Sequence, residues 1–169
     1  MLKVDLGRLQ RDRRVEIAED LSPDDPMWDG TGLELRGPLA VRLDVQRVGE
    51  DVLVRGRLSG AFGLECRRCL VPVRVEIDEP VSLLFRPELD PAEAEAQEVY
   101  TFSWRERELD LTAAVREQTL LAVPKYAVCR SACRGLCPRC GVNLNEEQCR
   151  CEVEQADERW AALRKLKFD

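Results

Sequence analysis

Residues 39–87 read LAVRLDVQRVGEDVLVRGRLSGAFGLECRRCLVPVRVEIDEPVSLLFRP. Three runs in this stretch, LAVRLDVQRV, VLVRGRLSGAFGLEC and VPVRVEIDEPVSLLFRP, alternate apolar and polar residues with a period of two. That period places alternate side chains on opposite faces of a strand. The separators, GED and RRCL, are too short for anything but tight turns, so the runs predict an antiparallel meander with one buried and one wet face. The expected fold class is α+β: a curled, barrel-like antiparallel sheet packed with one helix.

Reading outward, residues 2–6 (LKVDL) carry further alternation, and RVEIAEDL (14–21) follows. SPDDPMWDGTG, residues 22–32, is turn chemistry, with Trp28 as a core or lid aromatic. Downstream, PELDPAEAEAQEVY is acidic and rich in alanine and proline, which predicts a solvated linker over about residues 87–97. YTFSW (100–104) reads as a strand. ELDLTAAVREQTLLAVP predicts a helix over about 110–123, with Leu111, Val115, Leu120 and Val123 as its apolar stripe. Asp110 or Thr112 would cap its start and Pro124 would stop it. QADERWAALRKLKF, near the C-terminus, predicts an amphipathic helix with Trp160, Leu163 and Leu166 on one side. The expected organisation is a β-rich main domain over 1–124, with a cysteine-rich module and terminal helix over 125–169 packed on it.

The chain has 169 residues and is 44% hydrophobic, enough to bury a core. Its net charge of −6 argues against a uniformly basic nucleic-acid binder, so any such contact needs a local patch. The N-terminal stretch has no apolar core followed by small residues, and no apolar run reaches the roughly 18–20 residues of a membrane helix. The expectation is a cytoplasmic protein without membrane contact, where cysteines stay reduced and dense cysteine means metal more often than disulfide.

There are eight cysteines and no histidine. Cys137-Pro-Arg-Cys140-Gly presents two thiols from one turn, and its glycine lets the backbone fold back toward them. With Cys149 and Cys151 they make C-x2-C-x8-C-x-C, the primary expected metal site, with zinc as the ion. Cys129 and Cys133 share a face if that segment is helical. Cys66 and Cys69 form another C-x2-C pair at the hairpin turn. If the C-terminal segment docks there, Cys66, Cys69, Cys129 and Cys133 make a second group. The six C-terminal cysteines can also be grouped otherwise, so the spacing leaves one zinc or two open. A dithiol redox centre at CRRC would need a setting other than a meander.

No catalytic constellation accompanies them. The commonest general base is missing, no P-loop, G-x-S-x-G or dinucleotide fingerprint occurs, and an all-thiolate zinc has no open coordination position. The expectation is a protein that is not an enzyme.

LECRRCL after the meander, D-L-x3-V-x-E opening a helix (Asp110 to Glu117), LAVPKYAVC, then CRGLCPRCGVNLNEEQCRC and DERWAALRKL occur in that order. This order resembles the YceD family, the large ribosomal RNA subunit accumulation proteins of bacteria and plastids, over roughly residues 40–169. The resemblance implies a role in synthesis, processing or stability of large-subunit rRNA, with that rRNA, its precursor or a ribosomal protein as partner.

The residues supply a means. From Lys125 to Cys151 there are five cations against two glutamates. Arg130, Arg134 and Arg139 would be joined by Arg67 and Arg68 if the segments dock. Arginines on rigid turns can fork onto phosphates. A zinc-thiolate redox switch or holdase is the rival expectation. A DNA-binding zinc ribbon ranks below both, because no recognition helix is evident.

Overall fold

The computed structural model describes residues 2–87 and 99–151; the acidic stretch and the expected terminal helix lie outside them. In chain order the elements are β1 (Lys3–Asp5), α1 (Leu6–Asp12), β2 (Arg14–Leu21), a 3-10 turn (Pro26–Trp28), β3 (Glu34–Leu35), β4 (Leu39–Val48), β5 (Asp51–Glu65), β6 (Pro72–Pro87), β7 (Tyr100–Phe102), β8 (Glu108–Asp110) and α2 (Thr112–Ala122).

The three alternating runs are β4, β5 and β6, paired antiparallel in sequence order. Gly49 and Glu50 form a two-residue turn between paired Val48 and Asp51, with Gly49 at φ 66°, a conformation that glycine adopts without a Cβ penalty. Along β4, Leu39, Val41, Leu43 and Val45 are buried while Arg42 is exposed. Gly56 sits where β4 and β5 approach closely: a Cβ there would collide with the Arg42 carbonyl.

Two expectations need correction. The main sheet has the order β2-β4-β5-β6-β7, with β3 on β5, and is open. β2 and β7 do not pair, so there is no barrel. Among the described residues two helices, not one, pack on the sheet. α1 touches β2 and β4, while α2 touches β6 and the Trp28 turn. Leu6 and Leu9 of α1 and Ala114, Val115 and Thr119 of α2 are buried. The second correction is that β7 runs parallel to β6 rather than antiparallel, with Phe85 beside Tyr100. The sheet is therefore mixed, and the α+β class stands.

Within α2, Leu120 is 39% exposed and Thr119 is fully buried in its place. Leu120 lies five residues after Val115, about 140° around the helix. Thr119 satisfies its hydroxyl by donating to the Val115 carbonyl at 2.8 Å. Asp110 accepts the Thr112 N–H at 2.8 Å. β1 pairs with β8 just before α2, so Leu111 can donate its N–H to the Leu2 carbonyl at 2.8 Å.

β5 and β6, 15 and 16 residues long, outrun β4, whose pairing with β5 ends at Ser59. Beyond that point only the two-residue β3 flanks the hairpin. The projecting tip carries Cys66 and Cys69.

Candidate metal centres

The tip turns at Cys66-Arg67-Arg68-Cys69-Leu70-Val71. The Leu70 N–H donates to the Cys66 carbonyl at 2.8 Å, and the Cys66 N–H to the Val71 carbonyl at 2.9 Å. The same loop recurs at Cys137-Pro138-Arg139-Cys140-Gly141-Val142. There the Gly141 N–H donates to the Cys137 carbonyl at 2.9 Å and the Cys137 N–H to the Val142 carbonyl at 2.8 Å. Each loop needs a left-handed residue after its second cysteine. Gly141 supplies it at φ 74°, whereas the first loop uses Leu70 at φ 60°.

The segment after α2 docks on the first loop. Cys66 bridges Ala127 in parallel fashion. The Arg67 N–H donates to the Ala127 carbonyl and the Leu136 N–H to the Arg68 carbonyl, both at 2.9 Å. Arg68 reaches across to the carbonyls of Cys133 at 2.9 Å and Ser131 at 3.3 Å. Gly135 is needed at this crossing, since a Cβ there would stand 3.0 Å from the Arg68 carbonyl.

This docking brings Cys66, Cys69, Cys129 and Cys133 together, with all four sulfurs within 4.8 Å of one another. Cys66 Sγ is 3.8 Å from Cys133 Sγ, and Cys69 Sγ is 3.6 Å from Cys129 Sγ. Val71, Val73 and Leu136 pack around them. Cys129 and Cys133 do not lie on a helix. A turn closed by the Cys133 N–H on the Arg130 carbonyl, at 3.0 Å, presents them. The second group is Cys137, Cys140, Cys149 and Cys151, again within 4.8 Å. Cys149 Sγ is 3.2 Å from Cys137 Sγ and 3.6 Å from Cys140 Sγ.

These separations are too long for disulfides, whose sulfurs lie about 2 Å apart. They suit four thiolates around one ion: a tetrahedron with a metal–sulfur distance of about 2.3 Å puts its sulfurs about 3.8 Å apart. The electrostatics agree. N–H donors, led by the Cys129 amide, lower the Cys66 thiol to about 6. The Cys140 and Arg139 amides do the same for Cys137, to about 6. Burial first, then neighbouring thiols, pushes Cys129 up to about 12. The sulfurs of Cys149 and Cys140 push Cys151 up to about 12. Four thiols this close cannot all ionise without a cation among them, and a divalent ion would remove that penalty.

The two centres differ in setting. In the first group Cys66, Cys69 and Cys133 are buried and Cys129 is exposed; in the second only Cys137 is buried, with Cys140 exposed and Cys149 and Cys151 half-buried. The group that spacing alone ranks second is thus the one that ties the C-terminal segment to the sheet.

Of the five arginines singled out, Arg67 and Arg68 lie on the first loop. The Arg67 guanidinium sits 5.6 Å from the centre of the Tyr126 ring. Arg68 is turned inward onto carbonyls, which makes it a brace. Arg130 donates to Asn145 at 3.0 Å, and Arg134 and Arg139 are exposed on the surrounding loops. Spacing did not reveal Asn145. Besides accepting from Arg130, it accepts the Arg134 N–H at 2.9 Å and donates to Cys133 Sγ at 3.4 Å. Its loop-forming character was visible, but not its reach to the other centre.

Among the described residues no helix is long and apolar enough to cross a membrane. A mixed open sheet whose hairpin tip meets the trailing segment at one four-cysteine group, with a second such group within that segment, defines a small α+β protein with two candidate metal centres. The family model described as "Large ribosomal RNA subunit accumulation protein YceD" matches residues 54–167, and the chain belongs to that family. It is 35% identical over 125 residues to an uncharacterized protein of Mycobacterium tuberculosis, covering 74% of this chain and 60% of the relative. It is 27% identical over 156 residues to the chloroplastic large ribosomal RNA subunit accumulation protein YCED homolog 1 of Arabidopsis thaliana, covering 77% of this chain and 49% of the relative. With the corresponding Zea mays protein the identity is 28% over 180 residues, covering 89% and 61%. The chain spans about half to three-fifths of the length of these relatives. No solved structure matches it.

Proposed function

We propose that the protein supports accumulation of large-subunit rRNA by binding, without catalysis, to that rRNA, its precursor or a ribosomal protein, and that both four-cysteine groups hold zinc. Cys66, Cys69, Cys129 and Cys133 would hold one ion and Cys137, Cys140, Cys149 and Cys151 the other. Zinc held by four thiolates supplies folding energy and no reactive position. The rest of the work falls to the loops it fixes. The proposed setting is a reducing compartment such as the cytoplasm, with no membrane partner.

The observation that carries this reading is the distribution of charge. Four arginines of the sheet are matched: Arg42 with Asp20, Arg57 with Asp78, Arg74 with Glu76, and Arg86 with Asp51. Around the cysteine groups, Arg67, Lys125 and Arg134 have no carboxylate partner among the described residues. Arg55 and Arg107 also lack an ion pair among the described residues. What sets the cysteine region apart is that residues 66–71 and 124–136 hold Arg67, Arg68, Lys125, Arg130 and Arg134 with no Asp or Glu, which gives an acidic protein a local patch suited to an anion.

The test is binding of a large-subunit rRNA fragment by the zinc-loaded protein across a salt series. Replacing Arg134 and Arg139 by alanine should weaken binding and flatten the dependence of affinity on salt by about one to two phosphate contacts. Unchanged affinity and slope would sink the reading. The redox reading draws on the exposure of one thiol in each group, Cys129 and Cys140. It requires peroxide to eject zinc and produce holdase activity, and retention of both metals in mild oxidant would exclude it.

A further inference from the structure

Two side chains at the hairpin tip are left exposed by the fold, Leu70 of the first loop and Tyr126 of the segment docked on it. Tyr126 is 71% exposed, whereas Trp28, Phe62, Phe85 and Phe102 are all buried. Leu70 is 56% exposed and sits in a left-handed conformation. That conformation costs a non-glycine residue energy which no burial offsets. The matching position of the second loop, Gly141, shows that the turn itself asks only for glycine.

We propose that this tip is a stacking site for an unpaired RNA base, with Tyr126 as the platform, Arg67 backing it, and Lys125 beside it for the adjoining phosphate. The inference rests on the rRNA-binding reading and narrows its ligand to single-stranded nucleotides.

Three features carry it. The Arg67 guanidinium lies over the Tyr126 ring at 5.6 Å and makes no ion pair among the described residues. An arginine and an aromatic in this relation form the layered surface on which bases stack. The platform is also held before any ligand arrives. The Arg67 N–H is bonded to the Ala127 carbonyl at 2.9 Å and Cys66 is bridged to Ala127. Ordering the site therefore costs binding little. Finally, Arg67, Arg68, Lys125, Arg130 and Arg134 fall in two runs, Cys66 to Val71 and Pro124 to Leu136, that hold no carboxylate, and the carboxylates that share a cavity with Lys125, Glu34 and Glu65, make no ion pair with it. This combination fits a polyanion with exposed π-faces better than an acidic or aliphatic protein surface. A duplex keeps its bases stacked and offers none to the ring.

The experiment compares an unstructured 12-nucleotide RNA with a 12-base-pair duplex, using the intact zinc-loaded chain and three variants, with zinc content verified for each. Tyr126→Ala should weaken single-strand binding about 10-fold and leave duplex binding unchanged. Tyr126→Phe should bind the single strand like the parent. Arg134→Ala should weaken both RNAs and reduce the salt slope. If Tyr126→Ala binds the single strand as tightly as the parent while Arg134→Ala does not, the stacking site is wrong and the rRNA reading stands. If the parent binds neither RNA, the stacking site and direct RNA binding both fail, and a ribosomal protein is left as the partner. If Tyr126→Ala instead loses a ribosomal protein with RNA binding untouched, the tip is a protein contact and the stacking site is overturned.

Discussion

Asn145, in the loop between the two cysteine pairs of the second centre, donates its side-chain N–H to Cys133 Sγ of the first at 3.4 Å. Its carbonyl oxygen meanwhile accepts from the Arg134 N–H and the Arg130 guanidinium. One side chain from the second centre's loop therefore belongs to the outer shell of the first centre. Partners of this kind tune metal affinity. Asn145→Ala is expected to speed metal loss from the first centre, lowering its affinity about 10-fold. Competition with a chromogenic chelator on chains carrying serine at Cys137, Cys140, Cys149 and Cys151 would read this out for the first centre alone.

Metal removal should free the C-terminal segment without melting the sheet. The docking of residues 125–136 rests on the first cysteine group and a few bonds to the hairpin tip, whereas the core of β4, β5 and β6 is packed independently. Chelator treatment is expected to expose Lys125, Arg130 and Arg134 to trypsin while far-ultraviolet β signal persists. Cooperative loss of both together would contradict the arrangement.

The paired loops make a reciprocal prediction. Leu70→Gly should stabilise the fold by up to about 1 kcal/mol, the left-handed penalty less the added chain entropy of glycine. Gly141→Leu should destabilise it by about 1–2 kcal/mol, although nothing lies within 4 Å of the added Cβ, because only the backbone conformation is at stake. Urea titrations of the two variants measure both.

Gly56 tests the sheet. A methyl group there meets the Arg42 carbonyl of the neighbouring strand, so Gly56→Ala is expected to cost about 3 kcal/mol. A midpoint in urea close to the parent's would show that β4 and β5 can move apart.

Much of this architecture is legible in the sequence, and the gaps have physical reasons. Leu39, Val41, Leu43 and Val45 alternate so strictly that β4 and its face are fixed by period alone. The cysteine spacings suggest the same two groups of four that the fold assembles. Openness of the sheet is not written locally. It depends on α1, a seven-residue helix with only Leu6 and Leu9 buried, too short for a clear 3.6-residue pattern. The parallel placement of β7 depends on a connection whose path the composition of residues 88–98 does not specify. Thr119 escaped notice because a buried hydroxyl satisfied within its own helix looks polar in sequence. Asn145 and Tyr126 escaped for a related reason: each is defined by a partner far along the chain, Cys133 for one and Arg67 for the other.

The most direct test of the central claim is ultraviolet crosslinking of the tagged protein in its own cells, followed by sequencing of the recovered RNA. It should be run beside a variant with alanine at Arg67, Lys125 and Arg134. The account predicts reads concentrated on large-subunit rRNA or its precursor for the parent, and a severalfold loss for the variant at equal protein level. RNA no higher than in an untagged control, or equal recovery from both chains, would contradict it.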